Sequence, residues 1–331
     1  MISPHPGRYP QLHMHLLVLH PHADRFKHAL AQEFRGVEVL PAKSREEALA
    51  QAGEARAIVA LDSRFDEGLI AAAPHLQWIQ ALSSGTEVIA GLKCLDRSRV
   101  IVTTTRGIHG PQMSEMTLMH MLALTHRLPH MLRNQQEHRW ERFEQPLLWR
   151  KTVAILGVGA IAEALARCCK AFEMNVIGIS RSERQVEHFD RVYPRTRIEE
   201  AVALADYLVV LAPHTRANHG IVDAGVLAAM KPDAYLVNVS RGGVIDEDAL
   251  LDALRRRAIA GAGLDVFATE PLPEDHPLWS MDNVMITPRL GGMSNVYVEQ
   301  ALPVLRHNLA AFVSGDRDRM INRVDLAKEV S

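Results

Sequence analysis

Gly157, Gly159 and Ala162 stand in the spacing G-x-G-x-x-A, between an apolar run, Val153 to Leu156, and a helical stretch, Ile161 to Phe172. The first glycine of such a turn permits a tight reversal, the second lets the backbone approach a pyrophosphate, and the small third residue lets the helix pack on the strand. Helix N–H groups then face the phosphates, with Ala160 and Ile161 in the turn. Asn175 to Ile179 return as a second strand, so Lys151 to Ser182 supply the strand–turn–helix–strand context that dinucleotide binding requires. Ser180, Arg181 and Ser182 close that second strand, where a carboxylate would bind the ribose of NAD and an arginine suits the 2′-phosphate of NADP. No acid is present and Arg181 is, which predicts NADP(H) as the preferred cofactor, with NAD(H) as the alternative; the bland reading is a polar loop.

A second constellation follows. Short apolar runs at Ala205–Ala212, Tyr235–Val239, Ala262–Val266 and Val284–Thr287 each end in residues of chemical interest. The first ends at Ala212-Pro213, the second runs from Val239 into Ser240-Arg241-Gly242-Gly243, the third carries Asp265 and leads to Glu270, and the fourth leads to Arg289 and Gly291. Parallel sheets bind ligands at the carboxyl ends of their strands, so Arg241, Glu270 and Arg289 are expected at one edge. An arginine in a glycine turn is suited to bidentate capture of a carboxylate.

The elements that must hold these groups are read from periodicity. Before residue 106, apolar runs at Leu16–Leu19, Val37–Leu40, Ala57–Leu61, Leu76–Leu82 and Val100–Thr104 alternate with helical stretches. That alternation predicts an α/β chain with parallel sheets covered by helices. Ser83-Ser84-Gly85-Thr86 follow one such strand; they read equally as an anion-holding turn, with Ser84 and Gly85 at its centre, or as a plain helix cap. Gly107 and Gly110-Pro111 break the pattern before a Met- and Leu-rich helix over 112–125, and His109 lies in that break. A last helix over 295–313, with Pro303 inside and Gly315 as its stop, is expected to return to the first domain. The expected domains are 1–106 with 294–331, and 107–293.

Composition bounds the rest. The 331 residues suit two domains, and a net charge of −2 without a basic run disfavours nucleic acid as partner. No membrane span or signal-peptide core is expected, and Cys94, Cys168 and Cys169 read as thiols of a reducing cytoplasm, without disulfides. His13, His15, His20 and His22 crowd the first strand, but no acid or thiol stands at ligand spacing, so no metal is expected.

The stretches WIQALSSGTE, QPLLWRKTVAILGVGAIAEALA, MKPDAYLVNVSRGGVIDEDALLDAL, GAGLDVFATEPLPEDHPLW and NVMITPRLGG together resemble the D-isomer-specific 2-hydroxyacid dehydrogenases. The resemblance covers most of the chain and is strongest over 145–292. It implies a Rossmann nucleotide domain, a flavodoxin-like substrate domain with a cleft between them, and a homodimer. It implies hydride transfer between a nicotinamide cofactor and a small 2-oxo acid, of the glyoxylate/hydroxypyruvate kind. Carried over, Arg241 holds the substrate, the backbone at Ser84 and Gly85 binds its carboxylate, Glu270 supports the catalytic acid, and Asp265 orients the nicotinamide.

One position departs from that family. The catalytic histidine stands in T-P-H, whereas this chain reads Thr287-Pro288-Arg289. Histidine exchanges a proton near neutrality; arginine does not. A fixed Glu270–Arg289 ion pair is therefore expected. Three functions follow: a reductase in which Arg289 stabilises the alkoxide, a reductase whose Arg289 anchors a second anionic group of the substrate, or a nucleotide-binding sensor.

Overall fold

The structure is a computed structural model that describes residues 13–326; the outer ends of the expected first domain, 1–12 and 327–331, lie outside the described residues. Contacts divide the chain into two compact units, 1–108 with 294–331, and 109–293. In chain order the first unit supplies β1 (Met14–Leu19), α1 (Ala23–Ala31), β2 (Val37–Ala42), α2 (Arg45–Gln51), β3 (Ala55–Ala60), α3 (Glu67–Ala71), β4 (Trp78–Ala81), α4 (Glu87–Gly91) and β5 (Ile101–Thr104). The second supplies α5 (Gly110–Thr125), α6 (Leu128–Gln136), β6 (Thr152–Leu156), α7 (Ala160–Ala171), β7 (Asn175–Ser180), β8 (Arg191–Pro194), α8 (Ile198–Ala203), β9 (Tyr207–Val210), α9 (Ala224–Ala229), β10 (Tyr235–Asn238), α10 (Glu247–Arg255), β11 (Gly261–Leu264) and β12 (Val284–Ile286). Then α11 (Tyr297–Val313) returns to the first unit.

The first unit is a parallel sheet in the order β2-β1-β3-β4-β5, the flavodoxin-like arrangement. Its strands are apolar on both faces because both are covered. Met14, Leu16 and Val18 pack with Phe26 and Leu30 of α1 and Leu305, Leu309 and Phe312 of α11. Leu17, Leu19 and Ile58 pack on the other side with Ala48, Leu69 and Ile89. Burying each such Leu or Phe side chain stabilises by about 1.5–3 kcal/mol. A buried polar chain fixes α11 in place: Asn308 Nδ2 donates to Gln80 Oε1 at 2.9 Å, which also accepts from Thr103 Oγ1 at 2.9 Å, and Trp78 Nε1 donates to that hydroxyl at 2.8 Å.

The second unit is a parallel sheet in the order β12-β11-β10-β9-β6-β7-β8. The order reverses beside β6, which makes the β6/β9 junction its topological switch point. Ala154, Leu208 and Leu236 pack against the side of α8, α9 and α10; Val153, Ile155, Val209 and Val237 pack against α5 and α7. The expected α/β class and parallel sheets are thus present.

Details differ from expectation. Gly110 and Pro111 do not break the chain but open α5, with proline in the first turn where its missing N–H costs nothing. The helix beginning at 295 starts at Tyr297 instead. Gly315, at φ +78, follows the last turn of α11 as a left-handed stop. α6 and the edge strand β8 were not anticipated. α6 is separated from α5 by two residues, His126 and Arg127, the second in a left-handed conformation, φ 52, and β8 is four residues ending in proline.

Candidate active site

The glycine turn sits at the switch point. Gly157 adopts φ +100, and a Cβ there would lie 2.5 Å from the Ala212 amide nitrogen, so both backbone conformation and space demand glycine. Gly159 is the N-cap of α7 with no side-chain cap, and a Cβ on it would meet nothing within 4 Å. Open space therefore lies above a 12-residue helix's N-terminus, which is the cradle a pyrophosphate needs. Ala162 is buried against the sheet. Ala212 and Val239 are buried in the cores on the two sides of the sheet, so only their backbone is placed to meet a ligand.

At the tip of β7 the serines bond within their own loop. Ser180 Oγ donates to the Ser182 carbonyl at 2.7 Å, and the Ser182 amide returns to Ser180 Oγ at 3.4 Å. The Ser180 hydroxyl proton is thus engaged within the loop. Arg181 is exposed. A second guanidinium lies at the glycine turn: Arg184 Nη2 donates to the Val158 carbonyl at 2.8 Å. The signal available in the sequence was only the spacing S-R-S-E-R.

The strand ends of β10, β11 and β12 are adjacent in the sheet and point the same way. Arg241 follows β10. Its loop is shaped by buried Asn238, which accepts from the Ser240 amide at 3.1 Å and donates to the Arg241 carbonyl at 3.1 Å. Gly242 presses directly on the Phe267–Ala268 backbone, with no room for a Cβ. That contact joins the Arg241 loop to the one carrying Glu270. Glu270 Oε1 accepts from the Phe267 amide at 3.2 Å, and Oε2 pairs with Arg289 Nη1. The pair is half-exposed, with Arg289 at 54% and Glu270 at 25%. Arg289 itself has φ 55, a left-handed backbone uncommon for a residue with a side chain.

Asp265 is buried, and both its oxygens are engaged. Oδ1 accepts from the Leu290 amide at 2.9 Å and from Thr287 Oγ1 at 2.6 Å, and Oδ2 accepts from the Gly291 amide at 2.9 Å. Asn238 and this Asp265 clamp were missed as organisers because their partners lie far away in sequence. His109 is the N-cap residue of α5, and burial, with the Arg241 charge adding to it, lowers its pKa to about 4. It is neutral near pH 7.

Ser84 and Gly85 lie in the first unit, between β4 and α4. Ser83 Oγ donates to the Gly85 carbonyl at 2.8 Å, and Tyr297 Oη donates to the Leu82 carbonyl at 2.6 Å. Thr86 is the N-cap residue of α4, so the turn does stand at a helix start; its side chain makes no cap bond, and Asp62 takes the Val88 and Ile89 amides at 3.0 Å each. Among the described residues no group of three His, Cys, Asp or Glu could hold a metal ion, and His15 instead meets Glu38 at 3.2 Å.

The model of the NAD binding domain of D-isomer specific 2-hydroxyacid dehydrogenases matches residues 118–291. A glyoxylate reductase of Thermococcus onnurineus is 30% identical over 82% of this chain and 84% of its own length. A D-isomer specific 2-hydroxyacid dehydrogenase family protein from Aeromonas salmonicida superposes with a TM-score of 0.88 at 33% identity, over 95% of this chain and 99% of that one. An NADPH-dependent glyoxylate/hydroxypyruvate reductase from Sinorhizobium meliloti, in complex with NADP and sulfate, gives 0.81 at 26% identity, over 95% and 99%. The chain spans 57% and 53% of the length of two further curated relatives that it matches.

Proposed function

Because the chain belongs to the D-isomer specific 2-hydroxyacid dehydrogenase family, we propose that it is an NADPH-dependent reductase of a small 2-oxo acid, of the glyoxylate or hydroxypyruvate kind. The observation that carries this reading is the convergence of Arg241, Glu270 and Arg289 on adjacent strand ends, in the sheet whose switch point holds the glycine turn. A nicotinamide cofactor held there would supply the hydride for the carbonyl carbon.

This chain's residues do the rest. The N-terminus of α7 and the backbone of Gly157 to Ile161 hold the pyrophosphate, and the backbones at Ala212, Pro213 and Val239 line the same edge. Arg181, with Arg184 beside the turn, receives the 2′-phosphate. Arg241 grips the substrate carboxylate in bidentate fashion, and within the first unit the Ser84–Gly85 turn offers backbone donors suited to an anion. Asp265 fixes the loop at Gly291, which would help hold a bound nicotinamide.

Arg289 stands where the family's histidine stands. Held by Glu270, it places a permanent cation at the developing alkoxide, and one such donor is worth about 10²–10³ in rate. The proton comes from solvent. The pinned ion pair also favours a second reading, a nucleotide-binding sensor that turns over weakly.

We place the protein in the cytoplasm as a homodimer. In the second unit, α5 and α6 present Leu118, Met119, Leu122, Leu128 and Met131 along one open groove, an apolar face suited to a second copy. Among the described residues no helix is long and apolar enough to cross a membrane.

The deciding experiment follows NADPH absorbance with purified protein and glyoxylate, hydroxypyruvate, pyruvate or a bulky aromatic 2-oxo acid, with NADH in parallel. Turnover identifies the substrate. Tight NADPH binding without turnover rejects the reductase in favour of the sensor.

A further inference from the structure

We propose that His120, in the middle of α5, is a positioning residue that acts through Thr287 and Asp265 on the loop carrying Arg289. The imidazole is fully buried. Its Nε2 lies 3.0 Å from Thr287 Oγ1, and that hydroxyl lies 2.6 Å from Asp265 Oδ1. The direction of the chain is fixed by chemistry. A carboxylate accepts, so the Thr287 hydroxyl donates to Asp265. The hydroxyl has one proton, so it accepts from His120, which is therefore the Nε2–H tautomer. Asp265 spends its remaining acceptor capacity on the amides of Leu290 and Gly291, at 2.9 Å each. These are the two residues directly after Arg289, whose left-handed backbone needs outside support to persist.

Two observations show that the imidazole is built for this contact and does not merely fill space. Gly263 of β11 leaves the room: a Cβ there would lie 2.7 Å from His120 Nδ1 and 2.9 Å from its Cβ and Cγ. His120 Nδ1 is buried without a hydrogen-bond partner, an unfavourable arrangement for a group whose only task is packing. A leucine would fill the site without that cost, but it would donate nothing to Thr287. Burial holds the ring neutral, with its pKa lowered to about 4 despite the opposing pull of Asp265, so the relay is constant across neutral pH.

The role rests on the reductase reading only for its kinetic consequence. The clamp itself is read from amide exchange at Leu290 and Gly291 in the full chain. His120→Leu and Thr287→Val are each expected to speed exchange of these two amides about tenfold, while core amides of β6 and β10 keep their protection. His120→Gln, whose amide nitrogen can replace Nε2–H, is expected to restore the slow exchange. The double variant His120→Leu/Thr287→Val is expected to be no faster than the faster single, since both cut one chain. In turnover, the two single variants lose about tenfold in kcat with KM for the oxo acid within twofold, because Arg241 carries the carboxylate. Unchanged exchange at Leu290 and Gly291 would overturn the proposal, as would faster exchange spread over the whole unit, additive singles, or a glutamine no better than leucine. If the unmutated protein reduces no 2-oxo acid, the reductase reading fails alone, and the exchange results still decide the relay.

Discussion

Arg289 and Glu270 are joined through Nη1 and Oε2, from adjacent strand-end loops, with Glu270 held in turn by the Phe267 amide. A guanidinium keeps its proton at every accessible pH, so this pair is a fixed dipole and not a proton-exchanging dyad. Ground-state stability gains little from it: with Arg289 more than half exposed, the pair is worth roughly 0–1 kcal/mol. Its significance is the geometry it imposes on a cation at the strand edge.

That geometry predicts the pH dependence of turnover. The unmutated protein should show no limb near neutrality that belongs to position 289. Arg289→His should acquire one near the ordinary histidine value, about 6.5, and the left-handed backbone tolerates the change because histidine is among the residues enriched there. A kcat profile from pH 5 to 9 on both proteins checks this. A neutral-range limb in the unmutated protein that moves on Arg289→His would point to another proton donor, with His109 the first to replace.

Cofactor choice is predicted from the β7 tip. Arg181→Asp should move preference from NADPH toward NADH by at least tenfold in kcat/KM, by removing a cation and adding repulsion for the 2′-phosphate. Arg184→Ala should weaken NADPH too, and should weaken NADH less, because Arg184 also ties down the Val158 carbonyl of the turn both cofactors share. Equal loss for both cofactors in both variants would remove the pair from 2′-phosphate recognition.

A backbone contact makes the third prediction. Gly242 abuts the Phe267–Ala268 main chain, which cannot step aside as a side-chain tip would. Gly242→Ala should cost about 1–3 kcal/mol by overpacking. It should also lower kcat/KM by about 10²-fold, since Arg241 moves with the loop. Gly159→Ala, where a Cβ meets nothing, should leave stability within about 1 kcal/mol and act on cofactor affinity instead. Thermal melts and NADPH titrations separate the two. Similar behaviour of both variants would argue against the contact.

What the sequence made legible, and what it did not, follows the range of each interaction. The turn at Gly157–Ala162 is local: a strand, two glycines and a helix within a few residues, so spacing alone exposes it. Arg241, Glu270 and Arg289 were readable because each follows an apolar run within a few residues, and parallel strands bring such positions to one edge. His120, Asn238 and Arg184 carry no such mark. His120 sits among methionines and leucines in α5, and its value lies in Thr287, 167 residues away. Asn238 reads as the last residue of a strand until its side chain is seen bracing the Arg241 loop. The α5–α6 break was hidden because Arg127 reaches its left-handed turn without glycine or asparagine to signal it.

Three histidines, His109 and His120 buried and His20 partly buried, give the last prediction, a stability profile. Burial is the first cause lowering each of His20, His109 and His120 to about 4, from 6.5. Around them, His22, Arg64 and Arg25 lower His20 further, Arg241 lowers His109, and Asp265 works against the shift at His120. Between pH 6.5 and 4 the unfolded chain therefore binds protons that the folded one refuses. Stability must then rise with pH across this window and fall as pH drops from 6.5 toward 4, by up to about 1.4 kcal/mol per unit for each histidine. Carboxylates with lowered values, such as Asp206 beside Lys231, lose their contribution only at more acid pH, below about 4. Urea melts at pH 7, 6, 5 and 4.5 should show the loss setting in near 6.5, and His120→Gln should shallow the slope by about one proton, leaving the linkage at pH 7 unchanged and losing less stability toward pH 4. A profile flat from 7 to 5 would mean that the three rings are more hydrated in solution than their burial implies.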